Sequence, residues 1–224
     1  MKKLLVCLMA ICLGFSFSAS AQSPYAKLKS KIAKKEYKQK VKEFKKGDWQ
    51  VYGSSHTLEM ELLNHYEALE KNGVAEIVGT ARTTSPNIAQ DLLTISASRA
   101  YAQLISGEIR GSMTQDQNLN ISEEQLKEFE HFYSAYEEKL QAQVDRKLTP
   151  TFTINRKITI GGKNAYEWIR FYILDESAAY EASRRALADE ACLRALEQAA
   201  KETALAQITA EQIHEYLRKV FEEK

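Results

Sequence analysis

Apolar residues recur at steps of three and four along most of this chain, and at steps of two in a few short stretches. The first rhythm predicts helices and the second predicts strands. The clearest helical stripe is Leu126, Phe129, Tyr133, Tyr136, Leu140 and Val144, opened by the capping box Ser122-x-x-Gln125. Such a stripe is expected to be core, or a seam against another helix. Residues 25–46 carry a looser stripe of Leu28, Ile32, Val41 and Phe44. Residues 56–71 place Leu58, Leu62 and Tyr66 on one side and end at Asn72-Gly73. Residues 86–110 form a helix rich in small residues, started by Ser85-Pro86, with Gly107 and Gly111 as candidate ends. Alanine-rich residues 177–206 and a final stretch capped by Thr209-x-x-Gln212 complete the helices.

Period-two alternation marks the strands. Trp49 and Val51 define a short one. In 74–82, Ala75, Ile77, Gly79 and Ala81 share a face, and two residues that small predict a helix lying close against it. Residues 151–173 read as a hairpin. A two-residue turn at Gly162-Lys163 would pair Ile160 with Ala165, Ile154 with Phe171 and Phe152 with Ile173, all on one face. Arg156 and Glu167 are the only charges on that face, which predicts their ion pair. Helices mixed with a few strands and a hairpin predict an α+β fold with a small sheet packed by several long helices.

The N-terminus changes the picture of where this fold resides. Lys2 and Lys3, an apolar run from Leu4 to Phe17, and Ala19-Ser20-Ala21 form the pattern of a cleavable signal peptide over 1–21. The mature chain would begin at Gln22, and it is expected to be exported to the periplasm or the outer-membrane periphery. Cys7 and Cys12 leave with the signal, so Cys192 stands alone, without a disulfide framework. Cleavage precedes glutamine rather than cysteine, so lipid attachment is not expected.

Charge adds an asymmetry. Residues 27–46 hold ten lysines and two glutamates, leaving the remainder of the mature chain acidic at about −9. This arm, within a segment 22–47, has three expected fates: contact with an anionic membrane surface, docking on the acidic body, or a solvated linker. Nucleic acid is not an expected partner for an exported chain. The organisation expected after it is an α+β domain over 48–176 and a C-terminal helical segment, 177–224, packed on that domain.

Candidate chemistry is sparse. His56, His65 and Glu61 are expected to be solvated, although Glu61 and His65 lie one helical turn apart. His214-Glu215 opens like a zinc-protease motif, but Arg218 stands where the second histidine would be. No phosphate loop, dinucleotide fingerprint or nucleophile elbow occurs, and no cofactor, metal site or catalytic residue is expected. One surface stands out: Lys157, Tyr166, Trp168, Arg170 and Tyr172 line the polar face of the hairpin. Uncovered, it would stack sugars or grip a partner strand; the alternatives are that helices cover this face also, or that Trp168 lies over the Lys157 stem.

Two stretches carry a resemblance. "DWQVYGSSHTLEMELLNHYEAL" with "EIVGTARTTSPNIAQDLLTISASRAYAQLISGEIRG" resembles exported proteins of Bacteroides-type bacteria. The second stretch is also similar to the LPP20-like lipoprotein family, through Gly79, Ala97, Ala100, Ala102, Leu104 and Ile105. "NAYEWIRFYILDE" stands in the place of that family's second strand region, and the likeness spans 48–176. It implies a cell-envelope protein associated with the outer membrane and without known catalysis, though the lipid-bearing cysteine is missing here. The expected function is a non-enzymatic envelope protein acting through contacts with an envelope protein or cell-wall component. The alternatives are a glycan- or peptidoglycan-binding module using the aromatic hairpin face, and a hydrolase with a site dispersed along the chain.

Overall fold

The computed structural model describes residues 28–71, 73–116, 122–203 and 208–222. The expected signal peptide and mature start lie outside them. The fold is α+β, with one four-stranded antiparallel sheet. In chain order its elements are α1 (Lys31–Lys46), β1 (Gln50–Tyr52), α2 (Leu58–Leu69), β2 (Val74–Thr83), α3 (Pro86–Gln115) and α4 (Glu123–Glu128). They continue with α5 (Glu130–Asp145), β3 (Thr149–Ile160), β4 (Lys163–Asp175), α6 (Glu176–Leu187), α7 (Glu190–Glu202) and α8 (Ala210–Glu222).

Two compact units divide this chain. The first holds the residues up to Ala97 and Leu148–Asp175; the second holds Ser98–Lys147 and the residues from Glu176 onward. The division differs from the expected 22–47, 48–176 and 177–224. The reason is that α1 belongs to the core of the first unit, while the α5 stripe packs on helices rather than on the sheet.

In the first unit the strand order is β1-β3-β4-β2. The hairpin turns at Gly161-Gly162, both with positive φ (54° and 76°), as a type I′ turn needs. The expected turn at Gly162-Lys163 is therefore corrected, and the register slips by two residues. Ile160 pairs with Lys163, Ile158 with Ala165, Ile154 with Ile169 and Phe152 with Phe171. A slip of two leaves the side chains from Phe152 onward on their expected faces, because strand side chains alternate with period two. Arg156 lies directly opposite Glu167, and their ion pair closes at 2.6 Å.

One sheet face carries Phe152, Ile154, Ile169 and Phe171, together with Val51 and Val78. It is buried by Leu28, Tyr37 and Phe44 from α1 and its lead-in, and by Leu58, Leu62, Leu63 and Tyr66 from α2. Ser30 caps α1, its hydroxyl accepting from the amides of Ile32 and Ala33. The other face is crossed by the N-terminal part of α3. Ala89 and Leu93 pack there against Ala81 and Trp168. The approach is very close: a Cβ on Gly79 would come within 2.0 Å of the Leu93 carbonyl oxygen. The small residues on this face of β2 thus have the helix partner that their size implied.

In the second unit Phe129, Tyr133, Tyr136, Leu140 and Val144 are all buried, and α5 packs on α6 and α7. The capping boxes at Ser122/Gln125 and Thr209/Gln212 both form. Three boundaries depart from expectation. α3 runs past Gly107 and Gly111 to Gln115, no neighbouring atom crowding either glycine. Phe129 separates α4 from α5. Asp189 interrupts the alanine-rich run and caps α7 by accepting from the amide of Ala191.

Gly79→Ala is expected to destabilise the protein by about 3 kcal/mol, because the clash is with helix backbone and no rotamer change relieves it. Denaturant unfolding monitored by circular dichroism measures the loss; Gly107→Ala, which meets nothing within 4 Å, serves as the control and leaves the midpoint unchanged or raised.

Candidate functional site

The aromatic hairpin face is the first candidate, and the fold covers much of it. Trp168 is 1% exposed and Tyr172 is 2% exposed. The Trp168 indole N–H donates to the Thr83 carbonyl at 3.4 Å, and Tyr52 meets the ring edge-on at 4.9 Å. The Tyr172 hydroxyl lies 3.0 Å from Thr94 Oγ1 of α3. Since the Thr94 hydroxyl donates to the Gln90 carbonyl, Tyr172 is the donor in that pair. Arg170 is half-buried, its Nε donating to Thr153 Oγ1 at 2.7 Å. Tyr166 is half-buried against Trp168, and Lys157 is exposed opposite it. Of the alternatives for this face, the covered one is what the structure shows: its two central rings are core residues under α3.

A second polar group was not legible as such in the sequence. His65, expected to be solvated, is fully buried between α2 and the sheet. Its Nε2 lies 2.7 Å from Glu76 Oε1, and its Nδ1 lies 2.9 Å from Thr151 Oγ1. Lys40 of α1 donates to both Glu76 oxygens at 3.1 and 3.2 Å, and its ammonium sits 4.7 Å from the Phe171 ring centre. Thr151 is brought there by a bulge. The register shifts between Pro150 and Phe152, so Thr151 turns to the α2 side. Glu61, also expected to be solvated, is buried and meets exposed His56 at 3.2 Å.

Thr151, His65 and Glu76 have the order of a hydroxyl-imidazole-carboxylate triad, but the hydrogen bonds run the wrong way for one. The Thr151 hydroxyl proton is spent on the Phe171 carbonyl at 3.0 Å. Toward His65 that oxygen can therefore only accept, so the ring donates to it. In a working triad the imidazole takes the hydroxyl's proton. The group acts here as a clamp joining α1, α2, β2 and β3. Burial alone would raise the Glu76 carboxyl, but the His65 hydrogen bond and the Lys40 charge outweigh it and hold it down at about 2. Cys192, also fully buried, has its thiol pushed up to about 11 by burial, with Asp189 adding to the effect. Among the described residues no three histidine, cysteine, aspartate or glutamate side chains gather as metal ligands do. His214 has Arg184 for a charged neighbour; burial, then that charge, lower its basicity.

The third candidate is α1 itself. Tyr37 and Phe44 face the core, Tyr37 donating its hydroxyl proton to the Glu59 carbonyl at 3.0 Å. Lys40 is bonded to Glu76 and Lys45 to Glu59, while the Glu70 carboxylate accepts from the amides of Lys29 and Ser30. Of the three fates open to the arm, the structure shows docking on the body. At 100° per residue, Lys31, Lys35, Lys38, Lys42 and Lys46 fall on the opposite side of the helix, and all five are exposed. Ile32, 49% exposed, borders this row.

Glu76→Gln tests the clamp. A carboxyl held below its ordinary 4.5 contributes stability above that value and loses it as pH falls toward about 2. The substitution is expected to cost about 3 kcal/mol near neutral pH and to flatten the acid limb between pH 4.5 and 2. Urea midpoints measured across that range check both effects.

Comparison with family models, with curated proteins and with solved structures finds no match for this chain.

Proposed function

We propose that this chain is a non-enzymatic envelope protein that is exported and attaches peripherally to an anionic lipid surface through the lysine row of α1. One observation carries the reading: α1 is held on the body by its apolar side and by Lys40, so five lysines stand exposed along a rigid face. That face runs about 22 Å along the helix axis. A flexible tail would lose conformational entropy on landing; a helix already docked has lost it beforehand. Each lysine near an anionic membrane contributes about 1 kcal/mol, screened within a Debye length. Glu76 and Glu59 engage Lys40 and Lys45 at the inner side, and the lysines of the outer row are exposed. No described helix is long and apolar enough to cross a membrane, and the row supplies a peripheral attachment without one. The signal pattern of 1–21 supports export, and it accounts for the single cysteine of the mature chain.

The glycan reading is the weaker one, because Trp168 and Tyr172 are packed under α3. What remains outside, Tyr166 with Lys157 and Arg170, is a narrow strip rather than a stacking platform.

The mature chain is expected to sediment with phosphatidylglycerol-containing vesicles and not with pure phosphatidylcholine, and to be released by high salt. Lys35→Glu, Lys38→Glu and Lys42→Glu together are expected to weaken binding by roughly a hundredfold or more, with the circular dichroism unchanged. Equal binding to both vesicle types would overturn the reading. Export is checked separately: fractionation should recover a chain beginning at Gln22 from the envelope, and an uncut chain in the cytoplasm would refute it.

A further inference from the structure

The sheet face under α3 continues past the helix. α3 covers β2 and β4, where Ala89 and Leu93 meet Ala81 and Trp168. Beyond them the same face carries Thr153, Asn155 and Lys157 of β3 and Gln50 and Tyr52 of β1. Gln50, Tyr52 and Lys157 are exposed, and Asn155 is half-buried. Arg170 of β4 pairs with Gly79 on one side and with Thr153 on the other. Since α3 crosses directly over Gly79, Arg170 stands at the foot of the helix. Tyr52 lies two strands further out, about 10 Å away. Among the described residues, no aspartate or glutamate shares this face of β1, β3 and β4.

Arg170 differs from the arginines it resembles in burial. Three described arginines are half-buried: Arg110, Arg156 and Arg170. Arg110 bonds Glu130 and Arg156 bonds Glu167. Arg170 pairs with no carboxylate among the described residues; its Nε donates to Thr153 Oγ1 at 2.7 Å. That bond holds the guanidinium across the sheet and leaves its terminal nitrogens without a protein acceptor there. The Thr153 oxygen is spent on accepting, and its own proton meets no acceptor among the described residues. A charge drawn partly out of water calls for a counter-charge. The protein provides one for Arg110 and Arg156, and none for Arg170.

We infer that this face binds a small ligand bearing an oxyanion, a carboxylate or a phosphate, on the Arg170 guanidinium. With Nε already bonded, the open edge lies between the two terminal nitrogens. Parallel N–H groups on that edge match two oxygens of one carboxylate or phosphate. Thr153 is a positioning residue. It fixes the guanidinium before the ligand arrives, so less freedom is lost on binding. Asn155 on the same strand adds an amide donor, and Lys157 adds a second positive charge further along. Tyr52, 40% exposed and edge-on to Trp168, borders the site. A ligand whose anion is carried on a flat apolar body gains contact with that ring. The site is separate from the lysine row, because α1 packs on the opposite face of the sheet.

Benzoate and inorganic phosphate are the probes, titrated into the nitrogen-15-labelled mature chain, with chloride at matched ionic strength as the reference. The Arg170 Nε–H and Thr153 amide resonances are expected to shift and to saturate in the millimolar range. Saturation by benzoate assigns a carboxylate ligand and saturation by phosphate a phosphate ligand; either supports the inference. Arg170→Gln is expected to weaken binding about tenfold or more. Thr153→Val is expected to weaken it several-fold and Thr153→Ser to restore it, and this pair carries the test should Arg170→Gln lose its fold. Lys71→Gln, which removes an exposed charge beyond α2, is expected to leave binding unchanged. Failure of both probes to saturate would overturn the inference, as would equal shifts with chloride. So would parental affinity in a folded Arg170→Gln or Thr153→Val chain.

Discussion

At Gly79 the backbone of α3 comes so close to β2 that no side chain fits between them. The first unit is arranged around that approach. It sets the height of α3 above the sheet, so Trp168 and Tyr172 fill the space beneath the helix instead of facing solvent. It sets the helix's rotation as well, because Ala89, Leu93 and Ala97 must face the sheet for the backbone to approach. Ile88, Leu92 and Ile95 are then forced outward along the β2 edge. The buried aromatics and the solvent-exposed aliphatic positions have the same cause.

The opposite face of the sheet is secured differently. There the contact is apolar through Phe152, Phe171, Tyr66 and Phe44, and one partly buried ionic group joins the layers. Glu76 draws Lys40 from α1 and His65 from α2, and His65 reaches Thr151 across the β3 bulge. A carboxylate drawn partly out of water is costly unless paired, and Glu76, 19% exposed, has partners on both oxygens. The lysine-rich helix is consequently part of the body. Five of its other lysines lie exposed along the opposite side, the face proposed to meet an anionic surface.

Element types, the composition of each sheet face and the Arg156–Glu167 ion pair were legible in the sequence. All of them follow from local periodicity. The close helix was legible too, since Ala75, Gly79 and Ala81 are too small to fill a sheet face alone. The hairpin faces survived a misplaced turn because a slip of two residues conserves parity. The turn itself depended on both glycines taking positive φ, a choice that Gly162-Lys163 could equally have claimed in part.

Partners of single polar residues were decided only in three dimensions. His65 finds Glu76 eleven positions away on the next strand and Thr151 eighty-six positions away, and no spacing rule links residues so placed. Glu61, one helical turn from His65, was the local choice, and it bonds His56 instead. The same holds for Trp168. Alternation put it on the polar face of the hairpin, and that much was correct. Whether that face met water or a helix depended on where α3 crossed the sheet, and side-chain order along a strand carries no information about which layer will cover it.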